Sequence, residues 1–240
     1  LFKDRRPYIE QVSDEAIIEY VHQDNYTDLA QWMRSDQWSG EEAIIENLHR
    51  GADAFDEHGL AKDGSRWVAF NYKPLPSTFW PTNGSTDDVM IRLPEAFSEI
   101  DGQFSRDVYF ANLSLLEMAV TGAQELDTPP LNEAALDIDL DGDGVLSVAS
   151  HRIRYRPFYL GDASEVPLTH MLYPEGTAFL HTVRYLGVDD SGRIYNAPRM
   201  KEVRYMVKDR FRPATSLTSS YYMEAKEKHF GNLPGVADHA

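Results

Sequence analysis

Apolar and polar positions change their spacing along this chain. Near the N-terminus the pattern is helical and short. Ser13 opens the stretch Ser13-Asp14-Glu15-Ala16-Ile17-Ile18-Glu19-Tyr20, where a capping hydroxyl and acidic first turn predict a helix carrying Ile17, Ile18 and Val21. Ser39-Gly40-Glu41-Glu42 sets Ser and Glu at capping-box spacing ahead of Ile44, Ile45 and Leu48, predicting a second helix. Trp32, Met33 and Trp38 supply apolar bulk between the two. The longest helical stripe is Phe104, Val108, Ala111, Leu115 and Ala119, widened by Leu116 and Met118 and ended by Gly122 and Pro129-Pro130. After Asp137 the period shortens. His151–Arg156 alternates basic with apolar or aromatic residues, as a half-buried strand does. Ala178–Leu186 and Met200–Val207 predict two more strands, joined through Asp189-Asp190-Ser191-Gly192, with Pro198 just outside the second. A last helix is expected over residues 220–229, stopped by Gly231 and Pro234. Helices first and strands later indicate the α+β class. The expected organisation is one compact domain over 1–240, helical to about 130, with a loop at 137–150 and strand-rich from about 151.

Between Trp67 and Arg92 regularity breaks down. Trp67–Tyr72 reads as a strand, but Pro74, Pro76 and Pro81 interrupt whatever follows. The run Leu75–Asp88 is a polar loop too rich in Phe and Trp for a floppy linker. It is either an Ω-loop covering one end of the core or a binding surface. In the second case Trp67, Tyr72, Phe79 and Trp80 would form an extracellular module for carbohydrate or another ligand.

Composition then narrows the classes. The chain's 39 acidic residues outnumber 23 basic ones, for a net charge of −16. This disfavours nucleic acid, whose phosphates need a basic surface, and docking on an anionic membrane face. No apolar run approaches the ~20 residues of a spanning helix, so no membrane insertion is expected. Hydrophobic residues at 42% and aromatics at 12% exceed what a disordered acidic tail carries. Cysteine is absent, which excludes disulfides, cysteine-held zinc or iron–sulfur sites, thiol nucleophiles and a C-x-x-C-H haem attachment within these residues. The chain starts at Leu1 with no signal-peptide pattern, and is expected to be a processed product or a fragment. Basic residues gather late, from Arg152 through Lys208, Arg210 and Arg212. They mark a local anion site or balance the acidic N-terminal part.

The strongest motif is Asp137-Ile138-Asp139-Leu140-Asp141-Gly142-Asp143-Gly144-Val145-Leu146-Ser147, continuing to Ser150. A hard cation such as Ca²⁺ takes six to eight oxygens, so its loop must bend several carboxylates around one point. Starting at Asp139 places Asp139, Asp141 and Asp143 at loop positions one, three and five. Gly144 then takes the sharp turn at six, the Val145 carbonyl seven, an anchoring Leu146 eight and Ser147 nine. Position twelve is Ser150 instead of a bidentate Glu, so this is an EF-hand-like loop, and Glu133, Asp162 or Glu165 could supply the missing carboxylate. A register starting at Asp137 ranks second. Without an exiting helix the loop would hold a static structural ion and not act as a sensor. The high calcium outside cells would keep it filled, which points to export.

Other chemistry is sparse. None of the eight histidines forms a helical zinc pair. His170 and His181 flank Tyr173-Pro174-Glu175-Gly176 and could converge, although ordinary neutral histidines suit both places. No nucleophile elbow, Walker loop or dinucleotide fingerprint occurs, and no reaction is assigned.

Three stretches together resemble a known family. They are Trp67–Pro74 leading to Thr78–Pro94, Tyr173–Leu186, and Arg199–Met206. They are similar to the haem-free stretch of large exported bacterial c-type, often multihaem, cytochrome-like proteins. That resemblance implies a periplasmic or extracellular electron-transfer setting. It also implies haem c on a neighbouring part or on a partner cytochrome subunit, with this stretch scaffolding or docking. It carries over no catalytic residue, and the missing C-x-x-C-H is a departure from the family's pattern.

Overall fold

The computed structural model describes residue 8, residues 11–69 and residues 85–231. In chain order the regular elements are α1 (Asp14–His22), α2 (Tyr26–Met33), β1 (Val68–Ala69), β2 (Ser85–Arg92), β3 (Glu99–Ile100), β4 (Gln103–Phe104) and α3 (Arg106–Thr121). There follow β5 (Glu125–Leu131), α4 (Glu133–Leu136), β6 (Ser150–Arg154), β7 (Ala178–Val188), β8 (Ile194–Val207) and α5 (Ala214–His229). Helices and antiparallel strands are both substantial, and the fold is α+β. Two units form, one from Leu1–Arg92 with Ala178–Met206, the other from Leu93–Thr177 with Val207–Ala240.

In the first unit a four-stranded sheet runs in the order β1-β2-β7-β8. Along β7 the even positions Ala178, Leu180, Thr182 and Arg184 are all buried, the period of two that a strand with one covered face requires. β2 lies antiparallel beside β7, with Met90 opposite Leu180 and Asp88 opposite Thr182. Tyr26, Ile45, Leu48, Trp67, Met90, Leu180 and Met200 belong to one apolar cluster. β8 is an edge strand, and an open edge invites pairing with another chain. Its centre is closed by Asn25, whose amide donates to the Met200 carbonyl and accepts the Met200 N–H, both at 2.9 Å. Pro198 lies inside β8 and not outside it, which an edge position tolerates.

Three local expectations change here. α1 is capped by Ser13, which accepts the Ala16 N–H, but of its apolar residues only Val21 is buried, while Ile17 and Ile18 face solvent. Tyr20 instead meets the ring of Tyr185 edge-on at 5.8 Å and carries the Arg199 guanidinium 3.8 Å above its face. The helix expected from Ser39 is absent: residues 39–45 are irregular, and a 3₁₀ turn spans Leu48–Ala54. Ala43, Ile44 and Ile45 are buried in succession, which a one-sided helical stripe does not produce. The Ile45 N–H is satisfied by the Tyr26 hydroxyl at 2.9 Å. Finally, Ser85–Asp88, read as loop, begins β2. The aromatic stretch before it, with Tyr72, Phe79 and Trp80, lies outside the described residues.

The second unit is organised by α3. Ser105 caps it by accepting the Val108 N–H, and left-handed Gly122 closes it, the latter as the sequence pattern indicates. Phe104 is not part of the helix but lies in β4, exposed. The buried Asn112 amide donates to the carbonyls of Phe97 and Leu160 and accepts the Leu160 N–H, tying three segments together where bulk solvent is excluded. Pro129 and Pro130 do not end the helix. They sit in β5, where its pairing with β6 shifts register between Asp127 and Leu131. The last helix starts at Ala214, earlier than expected, and buries none of its residues.

Candidate metal centre

The aspartate-rich loop belongs to the second unit, between α4 and β6. Its ends are tethered because Leu131 of β5 pairs with Ser150 of β6. Asn132 caps the single turn of α4 by accepting the Ala135 N–H at 2.9 Å, and Asp137 ends that turn in the left-handed region. This turn places Glu133 beneath the loop. Glu133 is fully buried, and its two oxygens accept the N–H groups of Leu140, Asp141 and Ser147 at 2.7, 3.3 and 3.0 Å. A buried carboxylate without such partners would be very costly.

Above it, Asp139 accepts the N–H groups of Gly142 and Gly144 at 2.6 and 3.0 Å. Gly144 has φ +85°, a conformation open to glycine and strained for other residues. Asp141 accepts from the Asp143 N–H and from the Ser150 hydroxyl. Partial removal from water raises the affinity of Asp139 for a proton. The N–H groups of Gly144, Gly142 and Asp143, with the nearby charge of Arg156, outweigh this and hold its carboxyl below the ordinary range. The Arg156 guanidinium also donates to the Asp139 carbonyl at 3.0 Å.

Glu133, Asp139 and Asp141 bring one ligand oxygen each within 4.8 Å of one another. Of the three candidates for the missing carboxylate, the fold brings in Glu133. Asp162 accepts the N–H groups of Asp101 and Gly102 in the β3–β4 turn, and Glu165 is exposed. Asp143 accepts the Val145 N–H and, like Asp137, is outside the three-carboxylate group. Ser147 uses its hydroxyl on the Ala149 N–H, and Ser150 uses its own on Asp141. Leu146 does not anchor the loop: it is exposed, as are Val145 and Val148, and the buried anchor is Leu140.

The other sequence candidates take separate roles. His170 and His181 fall in different units, and the His170 ring lies 3.0 Å from the Ala119 carbonyl. Several late arginines are engaged within their own units. Arg152 and Arg154 approach Glu125, and Arg184 pairs with Asp88. Trp67 is completely buried, so it is not an exposed ligand-stacking surface.

The model of a lipoprotein family matches residues 9–233, and the chain belongs to that family. Membership implies an exported, membrane-anchored protein. An uncharacterized lipoprotein of Aquifex aeolicus (strain VF5) is 30% identical over 225 residues, covering 84% of this chain and 36% of the relative. The chain thus spans about a third of the length of the curated relative it matches. No solved structure matches.

These findings correct the functional reading. The family is one of lipoproteins and not of c-type cytochromes. The expected electron-transfer setting, haem-bearing partner and scaffolding role are withdrawn, as is the alternative of a carbohydrate-binding module. Neither the family nor the relative is described by a calcium-dependent function. The three stretches that suggested cytochromes hold no haem ligand motif, so nothing in their chemistry distinguished one exported family from another. A lipid anchor derives its affinity from buried CH₂ groups, about 0.8 kcal/mol each, and works on an acidic protein. No helix among the described residues is long and apolar enough to cross a membrane.

Proposed function

We propose that this chain is part of an exported lipoprotein, on the periplasmic or extracellular side, and that its 133–150 loop seats one hard divalent cation. The observation that carries this reading is the convergence of buried Glu133 with Asp139 and Asp141. Three carboxylates that close together repel one another without a cation. Ca²⁺ suits the set because all its donors are oxygens and the loop geometry is irregular, whereas Mg²⁺ demands a near-ideal octahedron. In this reading the Val145 carbonyl, Asp143 and Ser147 of the same loop supply further oxygens, and water completes the shell. A site with so few charged ligands belongs to the weak class, with Kd of about 10⁻⁴–10⁻³ M, which fills only where calcium stays high, outside the cytoplasm.

The test is calorimetric titration of the chelator-treated chain with Ca²⁺, alongside thermal melting. At a hundredfold excess over Kd, binding adds about 2.7 kcal/mol and raises the melting temperature. Asp139→Asn and Asp141→Asn should remove the heat of binding and that rise. A folded, chelated wild-type chain that takes up no Ca²⁺ and melts at the same temperature with or without it overturns the reading.

A further inference from the structure

The second unit also holds an open cavity of about 620 Å³, bordered by residues 169–172 and by the segment running from β8 into α5. Its lining has two characters. Lys208, Arg210 and Arg212 line it beside the carboxylate of Asp209, and the Glu175 carboxylate lies just outside, on the Phe211 N–H, so three basic residues gather here in a chain of net charge −16. Lys208 donates to the Tyr173 carbonyl at 2.6 Å. Arg210 meets Asp209 only loosely, at 3.6 Å and with both side chains more than half exposed, an arrangement that neutralises little. Beside these charges Met171, Phe211 and Leu217 supply apolar wall.

Two of those apolar groups, Met171 and Phe211, are exposed yet held in place. Met171 has φ +58°, costly for a residue with a side chain. Its N–H is fixed on the Ala119 carbonyl at 2.8 Å, the same carbonyl that the neighbouring His170 ring approaches. The Phe211 N–H is fixed on Glu175 at 3.2 Å. Two large apolar side chains are thus presented to solvent by anchored backbone, uncovered among the described residues.

We infer that this cavity binds a single-chain amphiphile with one anionic head, a carboxylate or a phosphate. The head pairs with Arg210 and Lys208, and the tail lies on Met171, Phe211 and Leu217. The volume is within the range of small-ligand sites, roughly 300–1,000 Å³. A guanidinium suits either head because it offers a planar fork of donors. The occupant is a free amphiphile and not the face of an anionic bilayer, which the acidic remainder of the chain repels. This site is separate from the cation loop and does not depend on it.

The experiment is calorimetric titration of the full chain with laurate below its micelle concentration. Dodecyl maltoside supplies the same tail without charge, and inorganic phosphate a head without a tail. Vesicles of phosphatidylglycerol supply the bilayer. Laurate should bind while the three controls do not. Arg210→Gln should weaken laurate about tenfold, and Phe211→Ser should abolish binding; both side chains are exposed, so each variant should melt with the wild type. No laurate binding by the folded chain overturns the assignment. So does equal binding of the maltoside, or binding of vesicles without laurate. Laurate binding that survives both substitutions places the ligand elsewhere and overturns it as well.

Discussion

Arg184 offers the most direct test of how the first unit is held together. It occupies the buried face of β7, in line with Ala178, Leu180 and Thr182, and is completely inaccessible. Its Nε donates to Asp88 on β2, while Nη1 and Nη2 donate to the carbonyls of His49 and Leu48 at the start of the 3₁₀ turn. The Thr182 hydroxyl adds a bond to the same Asp88 oxygen at 3.2 Å. Asp88→Asn removes the negative charge and leaves a guanidinium sealed from water. Breaking a buried pair in this way costs about 3–5 kcal/mol. That is a large part of a domain's 5–15 kcal/mol. Arg184→Met has a different cost. It strands two carbonyls, at about 1–3 kcal/mol each, and leaves Asp88 free to hydrate because its side chain is 29% exposed. The double variant should therefore lose at least about 2 kcal/mol less than the sum of the singles.

Urea unfolding followed by tryptophan fluorescence reads this unit alone, because Trp32, Trp38, Trp67 and Trp80 all fall within residues 1–92. With a slope of about 2–3 kcal/mol per molar urea, Asp88→Asn should lower the midpoint by about 1–2.5 M. The loss should persist at high salt, since a buried pair is screened far less than an exposed one such as Arg193–Asp189. A loss below about 1 kcal/mol, the worth of a surface pair, or simple additivity in the double variant, refutes this account.

Two further predictions concern stability. Burial pushes the hydroxyl of Tyr26 up to about 12, and burial followed by the bond to Glu41 does the same for Tyr205. An unfolded tyrosine titrates near 10, so the neutral phenols stabilise the fold fully below that pH. Their contribution is lost as pH rises through about 12; Tyr26→Phe should cost about 1–3 kcal/mol by stranding the Ile45 N–H, and should flatten the alkaline slope in a pH series of urea melts. At Gly161, with φ +65°, an added Cβ would stand 2.2 Å from the Glu99 carbonyl oxygen and 2.8 Å from Val108. Gly161→Ala should therefore destabilise the second unit by more than the ~1–3 kcal/mol of backbone strain alone, and thermal melting within 2 °C of wild type (about half a kcal/mol for a chain this size) would exclude that packing.

Much of the secondary structure was legible because it rests on local chemistry. Ser13 and Gly122 are caps wherever they fall, and the alternation along 178–186 needs only one covered face. The failures share a cause: neighbours distant in sequence. The Ser39 signal is a valid capping box, but Ala43, Ile44 and Ile45 are claimed by burial on successive sides, and Tyr26 takes the Ile45 N–H. Arg184 reads as the polar member of an alternating strand. Only the β2–β7 register, which brings Asp88 within reach, explains why a charge can occupy the covered face. The cluster of Lys208, Arg210 and Arg212 was visible, whereas the cavity was not, because its other wall comes from residues 169–172.

The missing loop carboxylate illustrates the same point at the candidate metal centre. In a helix–loop–helix site the twelfth residue can reach back because a helix turns its side chain over the loop. Here the twelfth residue is Ser150, the first of a strand, and its pairing with Leu131 fixes the direction in which the chain leaves. That pairing also sets where α4 begins, two residues beyond Leu131, and so delivers Glu133 to the floor of the loop from its upstream side. Three N–H groups already hold Glu133, and Asp139 and Asp141 are oriented by bonds to Gly142, Gly144 and Asp143. The loop is closed by its own backbone before any cation arrives. In the proposed reading an ion therefore relieves repulsion among carboxylates already in position, which is the behaviour of a structural site and not of a switch.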